Sequence, residues 1–164
     1  MDRCKMNTKS RDKILFMTIS VISLLAMILS VTIYLEKVTN NATVNNICSV
    51  LSSQSQCQTV QSSKYARIFG IDNPVYGIIG FTALMILSWM YYRTGDVIAK
   101  RLAIIGSIIP GLFAIWFLYL QTFVIDAYCI FCVIVDTLSI IMMILGIYLL
   151  VRYIKDISTS NSQK

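Results

Sequence analysis

The residues best able to do chemistry are Cys129-Ile130-Phe131-Cys132, two cysteines one helical turn apart at the mouth of an apolar run that ends near Val151. A CxxC pair is the usual geometry of a disulfide that opens and closes. Cys48 and Cys57 form a second possible pair, and Cys4 stands alone. The 164 residues include no histidine, which excludes Ser-His-Asp and Cys-His catalysis and any His-ligated metal or haem. Chemistry must therefore come from cysteine, carboxylate, hydroxyl or a bound cofactor. Asp136 is the other anomaly, because a carboxylate inside a spanning helix costs about 2.5–3.5 kcal/mol on insertion scales. It follows Cys132 by one turn and Cys129 by two, so the three share a helix face. It either exchanges a proton with, or polarises, an acceptor such as a quinone, or it is an acid hydrogen-bonded inside a bundle to a Ser or Tyr.

These residues need a membrane to hold them. The chain is 57% hydrophobic and 13% charged, against about 25% charged in soluble domains. Its length suits one domain over 1–164. Apolar runs at 14–35, 75–92, 102–123 and 128–151 approach or exceed the roughly 20 residues that cross a hydrocarbon core. A cleaved signal peptide is the rival reading of the first run. That run exceeds an apolar signal core of about 7–15 residues, and its loss would leave an odd number of spans. The expected fold is an all-α integral membrane bundle of four transmembrane helices, with an outer loop over 36–73 that contains a short capping helix. Ser62 to Gly70 reads as that helix, started by Ser62 or Ser63 and stopped by Gly70. Asp72-Asn73-Pro74 reads as a turn and a helix-starting proline. Gly77 and Gly80 suit close helix approach, and Pro110-Gly111 predicts a kink.

Basic residues orient the bundle. Arg3, Lys5, Lys9, Arg11, Lys13, Arg93, Lys100, Arg101, Arg152, Lys155 and Lys164 fall on the side of the termini, and only Lys37, Lys64 and Arg67 on the other. The positive-inside rule then puts both termini in the cytoplasm and loop 36–73 outside, in a multi-pass cell membrane protein (or in the endoplasmic reticulum membrane of a eukaryote). The net charge of +6 is thus a topology signal, and no nucleic-acid partner is expected.

That topology places Cys48, Cys57, Cys129 and Cys132 where disulfides persist, and Cys4 in a reducing compartment. Cys129, at a helix start, meets unpaired N–H groups and a dipole that favour an attacking sulfur. Cys132, one turn deeper, is expected to be the more shielded, within reach of a membrane-dissolved acceptor. The loop is long enough to bring Cys57 to Cys129 for exchange while Cys48 meets another protein. Two structural disulfides, or a four-cysteine zinc site, are the competing readings. Asn41-Ala42-Thr43 is a glycosylation sequon.

The order and spacing of these residues resemble the vitamin K epoxide reductase family, including its stand-alone prokaryotic members. The likeness rests on two loop cysteines, then Ser62-Ser63-Lys64-Tyr65-Ala66-Arg67, then Phe69-Gly70-Ile71, then the CxxC at the start of the last helix. In the Dsb-type membrane oxidases, the other quinone-linked thiol oxidases, the CxxC stands in the first outer loop. The resemblance covers most of the chain from Cys48 onward. It implies a four-helix bundle holding a quinone (menaquinone, ubiquinone or similar) near the outer face. It also implies that Cys132 faces the quinone, Cys129 exchanges with Cys57, Cys48 meets a thioredoxin-like protein, and Ser63 lies beside the site. Two departures stand out. Asp136 replaces a tyrosine of the animal enzymes, and their quinone-binding asparagine has no clear match in the corresponding region, Gly77 to Phe81.

The expected activity is therefore a quinone-dependent thiol–disulfide oxidoreductase fed by a secreted or membrane-anchored thioredoxin-like protein. Cys48, Cys57, Cys129 and Cys132 would be catalytic, with Cys132, Ser63 and Asp136 at the quinone and no metal. The alternatives are reduction of a vitamin K quinone or epoxide by partner thiols, and a non-enzymatic four-span protein with structural disulfides.

Overall fold

A computed structural model describes residues 2–39 and 57–161. Cys48 and Asn41 lie outside the described residues. Four helices are long and apolar enough to cross a membrane, over Arg11–Leu35, Asn73–Thr94, Val97–Ile125 and Ile130–Ser158. They belong to α1 (Asp2–Thr39), α3 (Asn73–Thr94), α4 (Val97–Tyr119, prolonged by a π-helical segment Leu120–Ile125) and α5 (Ile130–Asn161). In hydrocarbon every backbone group must find its partner within the protein, and a helix does this within one segment. The fold is the expected all-α membrane bundle.

Local chemistry sets the joints. α3 begins with Asn73-Pro74 and ends at Gly95, whose left-handed backbone (φ 72°) lets its N–H reach the Tyr91 carbonyl. Asp96 then caps α4 by accepting the N–H groups of Ile98 and Ala99, so a two-residue link turns the chain back on itself. The helix starts at Val97, earlier than the apolar run, because this cap decides its boundary. It continues through Pro110 as one element, and a π-helical segment follows at Leu120–Ile125.

α1 packs mainly on α3, and α4 on α5. Phe16, Ile19, Leu84, Ile104, Met142 and Leu149 form the centre. Gly77 approaches α1 so closely that any side chain there would meet Ser30. Many outward side chains are apolar, including Ile28, Ile79, Ile105 and Ile144, as a lipid solvent requires. At the end that carries the termini, the buried carboxylate of Asp12 is paired with Lys100 (2.8 Å) and Arg152 (3.1 Å), joining α1, α4 and α5.

Between α1 and α3, α2 (Cys57–Ser62) is followed by a 3-10 turn at Lys64–Ala66 and a hairpin of β1 (Arg67–Ile68) and β2 (Ile71–Asp72). The loop does contain a short helix, but it lies earlier than the helix expected from Ser62 to Gly70. Ser63 is extended (φ −62°, ψ 154°) and breaks the helix, and its hydroxyl makes no cap bond. Phe69 and Gly70 both have positive φ (51° and 81°), the mirror-image turn that matches strand twist. Arg67 is registered opposite Asp72 and donates from Nε to its carboxylate at 2.8 Å. Pairing across the turn therefore wins over helix continuation.

Candidate active site

Cys129 immediately precedes α5 and acts as its N-cap. Its carbonyl accepts the first helical bond from Val133 N–H (2.9 Å), and its Sγ accepts the Cys132 N–H (3.3 Å). A hydroxyl or carboxylate oxygen usually takes that third-residue N–H. Here a sulfur takes it, which suits a sulfur that carries negative charge during exchange. The two cysteines are not bridged to each other.

Their environments differ in a way opposite to the sequence expectation. Cys129 is fully buried (0% exposed), in a cluster with Ile33 and Phe131. Cys132 is only partly covered and lines a cavity. Val60 of α2 packs against the cluster that contains Cys129, as do Leu29 and Val135. Cys57 is the first residue of that same short helix, one turn before Val60. The loop thus brings Val60, one turn after Cys57, against the cluster at the start of α5.

The cavity, of about 440 Å³, lies among all four long helices and the loop. Phe81, Phe113 and Phe117 give it apolar walls, and Cys132, Asp136 and Ser139 of α5 contribute one polar side. Ser63 lines it as well, its hydroxyl donating to the Val60 carbonyl at 2.8 Å. Cys132, Ser63 and Asp136 therefore meet at one cavity. A mostly apolar pocket with a few convergent polar groups is the usual form of a small-molecule site.

Two cavity residues escaped the sequence reading. Gln121 on the π-helical segment is buried, 3% exposed. Its Oε1 accepts the Cys129 N–H at 3.2 Å, and its Nε2 donates to Asp136 Oδ2 at 3.3 Å. Asp136 is hydrogen-bonded within the bundle, but to a carboxamide rather than to the Ser or Tyr expected. Gln121 was legible as the one side-chain amide in the apolar run 102–123. Asn73 is the other. Its Nδ2 donates to the Tyr65 carbonyl at 3.0 Å, which orients the amide and leaves Oδ1 buried with no partner among the described residues. Its only sequence signal was a carboxamide directly before a helix-starting proline.

The rim of the site is pinned by charge. Asp72 pairs with Lys37 from the end of α1 and with Arg67 from β1. The Lys37 hydrogen bond first, then Arg67, holds the Asp72 carboxyl below the ordinary carboxylate range, against the desolvation of its partial burial.

With a CxxC at a helix start, a loop helix folded onto it and an apolar cavity beside it, the comparison with known families is decisive. Residues 17–147 match the vitamin K epoxide reductase family. The chain belongs to that family. No curated protein matches it by sequence. As a member of the vitamin K epoxide reductase family, it is a multi-pass membrane oxidoreductase of the class that works on thiols and quinones. The lining of the cavity suits a quinone. Asn73 contributes a carboxamide, Ser63 a hydroxyl and Asp136 a carboxyl, all set in apolar walls of ring-binding size.

Proposed function

We propose that this protein carries electrons from a secreted or membrane-anchored thioredoxin-like protein to a membrane quinone, forming disulfides on the side of the loop. The observation that carries this reading is the single cavity shared by Cys132, Ser63, Asp136 and Asn73. The charge bias supports cytoplasmic termini and an outward loop. In this reading Cys48 exchanges with the partner and Cys57 with Cys129, and the Cys129–Cys132 pair closes as electrons leave. The N-cap bond from Cys132 N–H supports Cys129 Sγ while it attacks or leaves. Burial of Cys129 in the cluster with Ile33 and Phe131 shields that exchange from stray thiols. Asn73 orients a ring oxygen, and Asp136 holds or passes a proton at its carboxyl. A bound quinone takes up two electrons and two protons, balancing the two thiols that become one disulfide. A respiratory-type quinone suits the chain best, because Asp136 replaces the tyrosine that the animal members carry one turn after the CxxC.

Purified protein should oxidise a reduced thioredoxin-like partner in a quinone-dependent reaction. Full activity in Cys132→Ala would sink the mechanism. Family membership also keeps open the reverse role, reduction of vitamin K quinone or epoxide by partner thiols. A product assay on the epoxide distinguishes the two.

A further inference from the structure

Gln121 is the buried polar group that the cysteine relay leaves unused. We propose that Gln121 is a positioning residue that couples the start of α5 to Asp136, holding that carboxyl for proton exchange at the cavity while anchoring the turn that carries the cysteine pair. The inference rests on the preceding reading of the site as a quinone-linked thiol oxidase.

Geometry forces the orientation of the amide. A main-chain N–H can only donate, so Oε1 must face Cys129 and the NH₂ group must face Asp136. Asp136 Oδ2 is thereby engaged, which leaves Oδ1 for the cavity that Asp136 lines. Both side chains are largely buried, Gln121 at 3% and Asp136 at 8% exposure. An unmade hydrogen bond in such surroundings is costly, so the amide is held in place. The backbone adds a second restraint. In the π-helical segment the Gln121 carbonyl receives the N–H groups of Asp126 and Ala127, and Asp126 is left-handed (φ 51°). Irregular turns of this type often place functional side chains. The chain of contacts then runs from Cys132 N–H to Cys129 Sγ, and from Cys129 N–H through Gln121 to Asp136. When the S–S bond forms, Cys129 Sγ is drawn towards Cys132 Sγ and away from the Cys132 N–H, and the turn it caps must adjust. Gln121 passes that adjustment to the carboxyl that handles the thiol protons. Two electrons leave the sulfurs for the quinone, and the two thiol protons end on its oxygens.

The test uses Gln121→Met, which is similar in length and makes neither bond. In quinone-free protein, the infrared difference spectrum between the dithiol and disulfide forms should contain a carboxyl or carboxylate band that Asp136→Asn abolishes. Gln121→Met should shift that band, and an unmoved band overturns the proposal. In the quinone-linked assay kcat should fall at least about tenfold with KM for the quinone changed by less than about twofold. In an Asp136→Asn background the same substitution should add less than about twofold. An equal loss in both backgrounds marks Gln121 as packing alone and overturns the coupling. Should the Met variant not fold, Gln121→Glu keeps the acceptor for Cys129 N–H, exchanges the donor to Asp136 for a carboxyl, and is read by the same band. Wild-type protein without quinone-dependent thiol oxidation refutes the proposed function, whereas the infrared arm tests the coupling separately.

Discussion

Replacing Asn73 with alanine should weaken quinone binding without destabilising the quinone-free protein. The side chain makes one protein hydrogen bond, from Nδ2 to the Tyr65 carbonyl at 3.0 Å, and leaves Oδ1 buried with no partner among the described residues. An unsatisfied buried polar atom costs about 1–3 kcal/mol, and a typical hydrogen bond contributes about 0.5–1.5 kcal/mol. Asn73→Ala removes both, so the stability of the empty protein should stay level or rise by up to about 2 kcal/mol. In the bound state the same substitution deletes a contact to a ring oxygen or hydroxyl. About 1–1.5 kcal/mol of lost hydrogen bonding corresponds to roughly a fivefold to tenfold rise in Kd or KM. The assay pairs thermal unfolding of quinone-free protein in lipid nanodiscs with quinone titration of the thiol oxidase reaction. A lowered melting temperature with an unchanged KM would refute the reasoning, because it would make Asn73 a structural hydrogen bond and its free oxygen irrelevant to the ligand.

Three further outcomes follow from the same geometry. The Lys37 and Arg67 partners lower the folded-state value of Asp72, so their stabilisation is present above the ordinary carboxylate range and is lost as pH falls through that lowered value; melting curves of wild type and Asp72→Asn should differ at neutral pH and converge in acid. Gly80 lines the cavity and has open space where a side chain would lie. Gly80→Phe should raise KM for a long-tailed quinone at least severalfold while sparing a tail-less ring, and equal effects on both would argue against tail passage there. Asp12→Asn strands Lys100 and Arg152 beside a buried position and should cost about 3 kcal/mol of stability, with partial recovery when Lys100→Met is added.

The bundle was legible because lipid imposes a simple rule. Backbone groups in hydrocarbon must bond within their own segment, so four apolar runs already announce four helices. Helix ends were less legible. Asp96 moves the start of α4 ahead of its apolar run through two cap bonds that hydropathy does not register. The segment from Ser62 to Gly70 carried helix-like punctuation, yet Asp72 is shared by Arg67 and Lys37 across a tight turn, and that pairing makes a hairpin. Local signals could not foresee it, because Lys37 comes from another helix.

The site divides along the same line. Cys129, Cys132 and Asp136 share one helix face because a helix repeats every 3.6 residues, and spacing alone determines that. The loop order of Cys48, Cys57 and Ser63 identified the family likeness before any fold was known. Which cysteine is covered was a tertiary matter, since Cys129 is enclosed in a cluster with Ile33 and Phe131, with Leu29 and Val60 packed against it, while Cys132 lines the cavity. The amides were tertiary too. Gln121 stands eight residues before the CxxC but on the preceding helical segment, Asn73 lies far away on α3, and only the packed bundle brings one to Asp136 and the other to the same cavity. Periodicity arranges residues within an element, whereas a ligand cavity is made by side chains from several, and only their packing decides which polar side chains line it.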